Sequence, residues 1–323
     1  MSKAVLVTGG GGYIGSHTCK EVARAGHLPV TLDNLIHGHK TAARWGPLIE
    51  GDIRDRGLVE RTIREHRIEA VVHFAGHAYV GESMRDPCGY FGNNVTGSLS
   101  LLEAMHSCGV GQIVFSSTCA IYGVPQSLPI PEDNPQRPIN PYGESKLFVE
   151  RALHWCGVAH GLRSVALRYF NAAGADPDAE IGEDHDPETH LIPLAIGAAL
   201  GKHPPLEIYG ADYPTADGTA VRDYVHVADL AEAHMLALDY LDRGGASTAF
   251  NLGTGRGYSV REVIATVEQV GERSVPHRIA ARRPGDPASL IAAPGRSREL
   301  IGWAPQRSDL QTIVATAWRW HAR

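Results

Sequence analysis

Apolar positions in the N-terminal half cluster into short β-branched runs at 4–7, 28–32, 70–74, 112–116 and 164–168, separated by helix-length stretches with amphipathic spacing. Runs that are apolar throughout, rather than alternating, belong to strands buried on both faces, and the intervening helices supply the crossovers of a parallel sheet. The pattern predicts a doubly wound, Rossmann-type α/β domain over residues 1–171. From Ala172 the texture changes: Asp176-Pro177-Asp178 and Asp184-His185-Asp186-Pro187 read as a loop-rich cap. A helix at 191–200 and a strand at 206–209 follow, so 172–323 is expected to form a smaller substrate domain. Two later runs, 222–227 and 249–252, are expected to return to the first sheet, which assigns segments near 222–252 to the N-terminal domain. Ser259-Val260-Arg261-Glu262 spells a capping box that opens a further helix.

Composition narrows the functions open to such a chain. The 36 acidic and 30 basic residues leave a formal charge of −6, without the basic field that a nucleic-acid backbone requires. The five cysteines, Cys19, Cys88, Cys108, Cys119 and Cys156, are odd in number and form no Cys-x-x-Cys pair. Neither a disulfide framework nor a zinc ribbon is indicated, and a reducing, cytoplasmic location is expected. The chain enters its first strand just after Ser2 and Lys3, with no cleavage region. No apolar run reaches the roughly 18 residues of a spanning helix, so no membrane partner is expected. Among 17 histidines, His185 and His190 stand five apart in a proline-containing loop and His37-Gly38-His39 lies on another. Neither has zinc-helix spacing, and no metal is expected.

Directly after the first strand comes Thr8-Gly9-Gly10-Gly11-Gly12-Tyr13-Ile14-Gly15-Ser16-His17, which opens a helix. Glycines there permit a tight turn and close approach of backbone to a pyrophosphate, while the helix N-terminus supplies N–H donors and positive dipole. Asp33 follows Gly15 by 18 residues, at the end of the next strand. A carboxylate there accepts from a ribose 2′-hydroxyl and repels a 2′-phosphate, so NAD is expected rather than NADP. Further along, Pro141-Tyr142-Gly143-Glu144-Ser145-Lys146 puts a tyrosine and a lysine on one helix face. An ammonium beside a phenol favours the phenolate, so Tyr142 is expected to act as a base near neutrality.

With these pieces together, the chain resembles the extended short-chain dehydrogenase/reductase family over nearly its whole length. The likeness is carried by the glycine loop, Leu32-Asp33-Asn34-Leu35, Gly51-Asp52-Ile53-Arg54, His73-Phe74-Ala75-Gly76, Val80-Gly81-Glu82-Ser83, Asn93-Asn94-Val95 and Phe115-Ser116-Ser117-Thr118. It continues through the tyrosine–lysine segment, Arg168-Tyr169-Phe170-Asn171, Val221-Arg222-Asp223-Tyr224, Asn251-Leu252-Gly253-Thr254-Gly255 and Arg282-Arg283-Pro284-Gly285-Asp286-Pro287. The resemblance implies NAD held by Gly9, Gly12, Tyr13, Ile14, Gly15, Asp33, Asn34, Asp52, Ile53, Phe74, Ala75, Gly76, Asn93 and Phe170. It implies a catalytic triad of Thr118, Tyr142 and Lys146, which also touches cofactor. Asn171, His190, Leu191, Ile208, Tyr209, Arg222, Arg283, Asp286 and Leu290, with Thr118 and Tyr142, are implied to hold a UDP-sugar.

The activity so implied is 4-epimerisation through a transient 4-keto sugar, UDP-galactose exchanging with UDP-glucose, or with a UDP-pentose or UDP-N-acetylhexosamine as the alternative substrate. The family's 4,6-dehydratases carry an Asp-Glu pair directly after the hydroxyl residue; this chain has Cys119 and Ala120, which cannot eliminate water by acid–base catalysis. Cys119 reads as a small buried filler. Ala78 replaces a lysine found in some relatives, His190-Leu191 replaces an Asn-Leu pair, and Leu290 stands where narrower enzymes have tyrosine. A homodimer is also implied, through helices around 94–106 and 146–157.

Overall fold

In the computed structural model, which describes residues 2–283 and 286–323, the first half runs β1 (Ala4–Thr8), α1 (Tyr13–Arg24), β2 (Leu28–Asp33), β3 (Leu48–Glu50), α2 (Arg56–His66) and β4 (Ala70–His73). Short helices α3 (Val80–Ser83) and α4 (Pro87–Tyr90), a π-helical segment Phe91–Thr96, α5 (Gly97–Cys108), β5 (Gln112–Thr118), α6 (Pro141–His160) and β6 (Arg163–Tyr169) follow. The second half contains β7 (Asn171–Ala173), α7 (Leu191–Ala199), β8 (Leu206–Tyr209), β9 (Val221–Arg222), β10 (Tyr224–His226), α8 (Val227–Asp242) and β11 (Thr248–Leu252). It closes with β12 (Tyr258–Ser259), α9 (Val260–Gly271), β13 (His277–Ala280), β14 (Ser289–Leu290), α10 (Gly295–Ile301) and α11 (Leu310–His321). Pro284 and Gly285 of the arginine–proline motif lie outside the described residues.

Seven strands lie parallel in the order β11-β6-β5-β4-β1-β2-β3. The uniformly apolar runs are explained by burial on both faces. Along β1, Val5 and Val7 join one core with Cys19 and Val22 of α1 and Leu230 and Leu238 of α8. Leu6 faces the other way, into a core with Val59 and Ile63 of α2, Leu101 and Met105 of α5, and Val149 and Leu153 of α6. Strand order reverses between β1 and β4, so a crevice opens at their carboxyl ends, where doubly wound sheets bind ligands. The three-residue edge strand β3 was not legible in the apolar pattern, being too short to show a period.

The predicted return of 222–227 to this sheet is corrected by the structure. The chain leaves the sheet after Tyr169; β10 pairs with β7 as a separate parallel ladder, and β9 joins β12 and β14. Only β11 comes back, beside β6, although α8, which follows β10, packs on α1. Helices α7, α9 and α11 bury a third core with β8, including Ile192, Ile196, Ile208, Val263, Val267 and Ile313. The capping box at Ser259 and Glu262 is formed in both directions. Among the described residues no helix is long and apolar enough to cross a membrane.

Candidate active site

The loop from β1 to α1 can be built only from glycine at two points. Gly9 has φ +73°, and a Cβ there would lie 2.7 Å from the Ala75 amide nitrogen; a Cβ on Gly15 would lie 2.1 Å from the Gly9 carbonyl oxygen. Gly12 is the α1 N-cap and offers no side-chain cap, so the first helical amides are left for a ligand. Asp33 is buried at the tip of β2, accepting from Gly11 N at 2.9 Å and Leu35 N at 2.8 Å. Each oxygen keeps lone-pair capacity for a ribose diol. Beyond it, Asn34 donates to Asp52 at 3.2 Å. Arg54 grips Asp52 through two nitrogens at 2.9 and 2.7 Å, holding its carboxyl down at about 2. These donors and acceptors, with Ile53 beside them, fit an adenine dinucleotide, and the α1 amides would hold its pyrophosphate.

Across the crevice, Asn140 caps α6 by accepting from Gly143 N at 2.8 Å, and Pro141 occupies its first turn. This start aims Tyr142 and Lys146 at the end of β5. Lys146 is buried, donates to the Ser116 carbonyl at 2.8 Å and lies 4.9 Å from the Phe115 ring centre. Burial lowers its ammonium to about 8. A Cβ on Gly76 would come within 3.7 Å of Lys146 Nζ, so the Phe74-Ala75-Gly76 turn abuts the lysine, while the Phe74 ring packs on His234 at 4.6 Å. Tyr142 is pushed up to about 12 by burial, partly offset by a hydrogen bond with Thr118.

The expected phenolate near neutrality is therefore not produced by the protein alone. The reason is geometric: the ammonium is committed to Ser116 and stands 6.0 Å from the Tyr142 ring centre. Thr118 also receives the Ala120 amide at 3.1 Å, which orients its hydroxyl at the strand end. Cys119, next in line, is a buried thiol raised to about 12 by burial, as its reading as a filler anticipates.

On the cap side, Arg222 pairs with Asp286 and Leu290 stands in register beside Arg222. Leu290 packs against the buried group of Cys119, Leu147 and Phe170, next to the triad. Asn171 donates to the Asp223 carbonyl at 3.0 Å. The Arg283 guanidinium lies 4.0 Å over the Tyr209 ring. Ile208 is only 1% exposed and its side chain faces the cap core, so strand alternation turns Tyr209 the other way, under the Arg283 guanidinium. Leu191 likewise packs on that core. His190 caps no amide of α7. Against the burial that lowers it, its imidazolium is raised to about 10 by Glu183 and Glu188.

Several residues at the site were not singled out from sequence. Asn94, adjacent to Asn93, accepts from His77 N at 2.7 Å and donates to Ser145 at 3.0 Å, tying the π-helical segment to α6. His73 bridges Thr8 at 2.7 Å and Ser98 at 2.8 Å; because Ser98 donates to the Asn94 carbonyl, His73 is the neutral Nε2–H tautomer. Arg168 holds Glu150 at 3.0 and 2.6 Å and Tyr122 at 3.0 Å, with Ser117 donating to the same carboxylate. His185 and His190, read above as lacking zinc-helix spacing, form a compact cluster with Glu183 and Glu188, which the sequence reading passed over. Its signal was the Glu-x-His-x-x-Glu-x-His spacing, in which the glutamates matter as much as the histidines.

The family model for the NAD dependent epimerase/dehydratase family matches residues 5–253. A protein of Rhizobium leguminosarum bv. trifolii named UDP-glucose 4-epimerase is 51% identical over 321 residues, covering 99% of this chain and 98% of that protein. The solved structure of UDP-glucose 4-epimerase from Brucella ovis in complex with NAD is 52% identical, with a TM-score of 0.97 and 98% of each chain covered. That of the Bifidobacterium longum UDP-glucose 4-epimerase in complex with NAD+ and UDP is 38% identical, with a TM-score of 0.94, covering 99% of this chain and 98% of the other. A glycine loop with Asp33, a Thr118–Tyr142–Lys146 constellation and these likenesses over almost every residue lead to one assignment: the chain belongs to the NAD dependent epimerase/dehydratase family.

Proposed function

We propose that the protein is an NAD-dependent 4-epimerase of UDP-sugars that interconverts UDP-galactose and UDP-glucose. One observation carries this reading beyond the family: Thr118, at the end of β5, lies beside Tyr142, and the next two positions are a buried thiol and an alanine instead of an acid–base pair. Tyr142 takes the proton of the sugar 4-hydroxyl, Thr118 hydrogen-bonds the same oxygen, and Lys146 holds the nicotinamide ribose. When bound, NAD supplies the acceptor for hydride from carbon 4 and a positive charge that favours the Tyr142 phenolate. With no residue placed to eliminate water, the 4-keto sugar can only be reduced again.

Asn171, His190, Leu191, Tyr209, Arg222, Arg283 and Asp286 anchor the UDP part, the arginines matching phosphate oxygens by their fork geometry. The Arg222–Asp286 pair opens or shares its hydrogen bonds on binding. Leu290, at the edge of the group around Cys119 and Phe170, leaves more room than a tyrosine. It favours a second reading in which UDP-N-acetylhexosamines or UDP-pentoses also turn over. The NAD residues are those read from sequence, with the ribose diol on Asp33 and the adenine end near Asn34, Asp52 and Ile53.

Purified protein incubated with UDP-galactose, without added cofactor, and followed by NMR tests the reading. UDP-glucose without accumulated keto sugar is expected; a 4-keto-6-deoxy product, or no turnover with NAD bound, overturns it. UDP-xylose and UDP-N-acetylglucosamine run in parallel rank the sugars.

A homodimer is part of the proposal. Of the apolar residues on α5 and α6, Leu101, Leu102, Val149 and Leu153 are buried in the protomer's own core. Leu99, Phe148, Trp155 and Val158 are exposed, the last two each by 66%, and offer the apolar face for a second copy. The free cysteines accord with a cytoplasmic location.

A further inference from the structure

In the cap loop between β7 and α7, the ligand atoms of Glu183, His185, Glu188 and His190 all lie within 4.8 Å of one another. His190 Nδ1 is 2.6 Å from Glu183 Oε1 and 3.3 Å from Glu188 Oε1; His185 Nδ1 is 3.2 Å from Glu183 Oε1 and 3.9 Å from Glu188 Oε2. These separations bracket the edge of a tetrahedron around zinc, about 3.3 Å for metal–ligand bonds of about 2.05 Å. The Glu183 side chain is only 3% exposed. Glu183 Oε1 and His185 Nδ1 are both buried without a well-aligned hydrogen bond, 3.2 Å from each other, and Oε1 has only the charged contact of His190 Nδ1 at 2.6 Å. Both atoms are aimed at a common point, and a cation there meets both.

We propose that Glu183, His185, Glu188 and His190 bind one divalent transition-metal ion, zinc by the mix of two imidazoles and two carboxylates. Magnesium and calcium prefer all-oxygen sets. Two glutamates neutralise the ion. The position gives the ion a purpose. Tyr13, first residue of α1 after the glycine loop, stands edge-on to His185 with ring centres 6.2 Å apart, and Tyr79 stands 5.8 Å from the same ring. Behind the cluster, Trp320 donates to the Glu183 carbonyl at 2.8 Å. The metal therefore latches the cap loop, α11 and the mouth of the dinucleotide crevice together.

The test uses full-length protein treated with EDTA, dialysed, and titrated with Zn(II) or Co(II) alone, so it reads binding without turnover. One equivalent is expected to bind, with the strong visible bands of four-coordinate cobalt and a melting temperature that climbs with metal concentration. His185→Ala and Glu183→Gln are each expected to weaken binding at least about 100-fold, since even outer-sphere partners of metal ligands contribute 10–100-fold. Circular dichroism without metal establishes that each variant is folded, and the wild-type cobalt spectrum decides even if one is not. Substoichiometric binding, a weak six-coordinate cobalt spectrum, or an affinity unchanged in a folded His185→Ala protein overturns the proposal.

Discussion

At the residue scale, the reacting groups are tuned by burial more than by one another. Tyr142 stands near 12 and Lys146 near 8, each displaced toward its neutral form because it is buried. Tyr142→Phe removes the phenol proposed to move the 4-hydroxyl proton. Its kcat is expected to fall about 100- to 10,000-fold while NAD remains bound, as read by stopped assays and cofactor absorbance. Lys146 yields a sign that can be checked. Its folded pKa, about 8, lies below the ordinary 10.5, so between those values the unfolded chain keeps a proton that the folded chain has lost. Stability from this group therefore rises with pH across that window, and the burial penalty is complete below pH 8. Lys146→Met is expected to stabilise the cofactor-free protein against urea at pH 7 by more than at pH 9.5. Equal gains at both values would contradict this account of the lysine. The positions of Tyr142, Lys146 and Thr118 were legible in sequence from spacing and resemblance. The commitment of the ammonium to Ser116 was not, because it depends on where β5 lies relative to α6.

At the element scale, the site depends on how α6 is held against β5 and β6. Glu150, one turn beyond Lys146 on α6, is bound by Arg168 of β6 and Ser117 of β5, with side-chain exposures of 10% for Glu150 and 6% for Arg168. Removing one member of a buried, hydrogen-bonded ion pair leaves the other charge uncompensated, at about 3–5 kcal/mol. Glu150→Gln is expected to lose stability of that order in urea unfolding. Arg168 was read from sequence only as part of a motif. Its buried partner lies 18 residues back in the chain, a separation that carries no periodic signal. Capping was more legible. Asn140-Pro141 and the Ser259–Glu262 box act within a few residues, so local chemistry suffices to start both helices. Strand alternation, by contrast, could not settle whether Ile208 or Tyr209 turns into the core until β8 had a core to pack against.

At the scale of the whole molecule, the packing of three cores around uncharged histidines makes stability depend on acid. His73 stands near 3, and His17, His226 and His234 near 4, each lowered by burial. All four fold with pKa values below the ordinary 6.5, so the unfolded chain gains protons that the native protein refuses as pH falls from 6.5 toward 4. Their contribution is full above pH 6.5 and lost progressively below it. Melting temperature is expected to drop across that interval with an excess uptake of several protons on unfolding, most of them on these four imidazoles; a flat profile would rule out neutral, buried imidazoles. The proposed dimer makes its own prediction. Phe148→Glu combined with Trp155→Glu places charge on the exposed face of α6 without touching the core, and sedimentation should shift from dimer to monomer with little change in helix content.

The sequence by itself determined what rests on short-range chemistry: the parallel strands from their apolar runs, the glycine turn from backbone freedom, the helix starts from their caps, and the preference for NAD from Asp33. Tertiary structure alone decided what depends on distance between remote segments. It placed β10 on β7 instead of the central sheet, turned Ile208 inward, spent Lys146 on Ser116, and converged two glutamates and two histidines of a cap loop on one point. Spacing along a chain sets which side chains share a face; only packing sets what that face meets and how much water remains there.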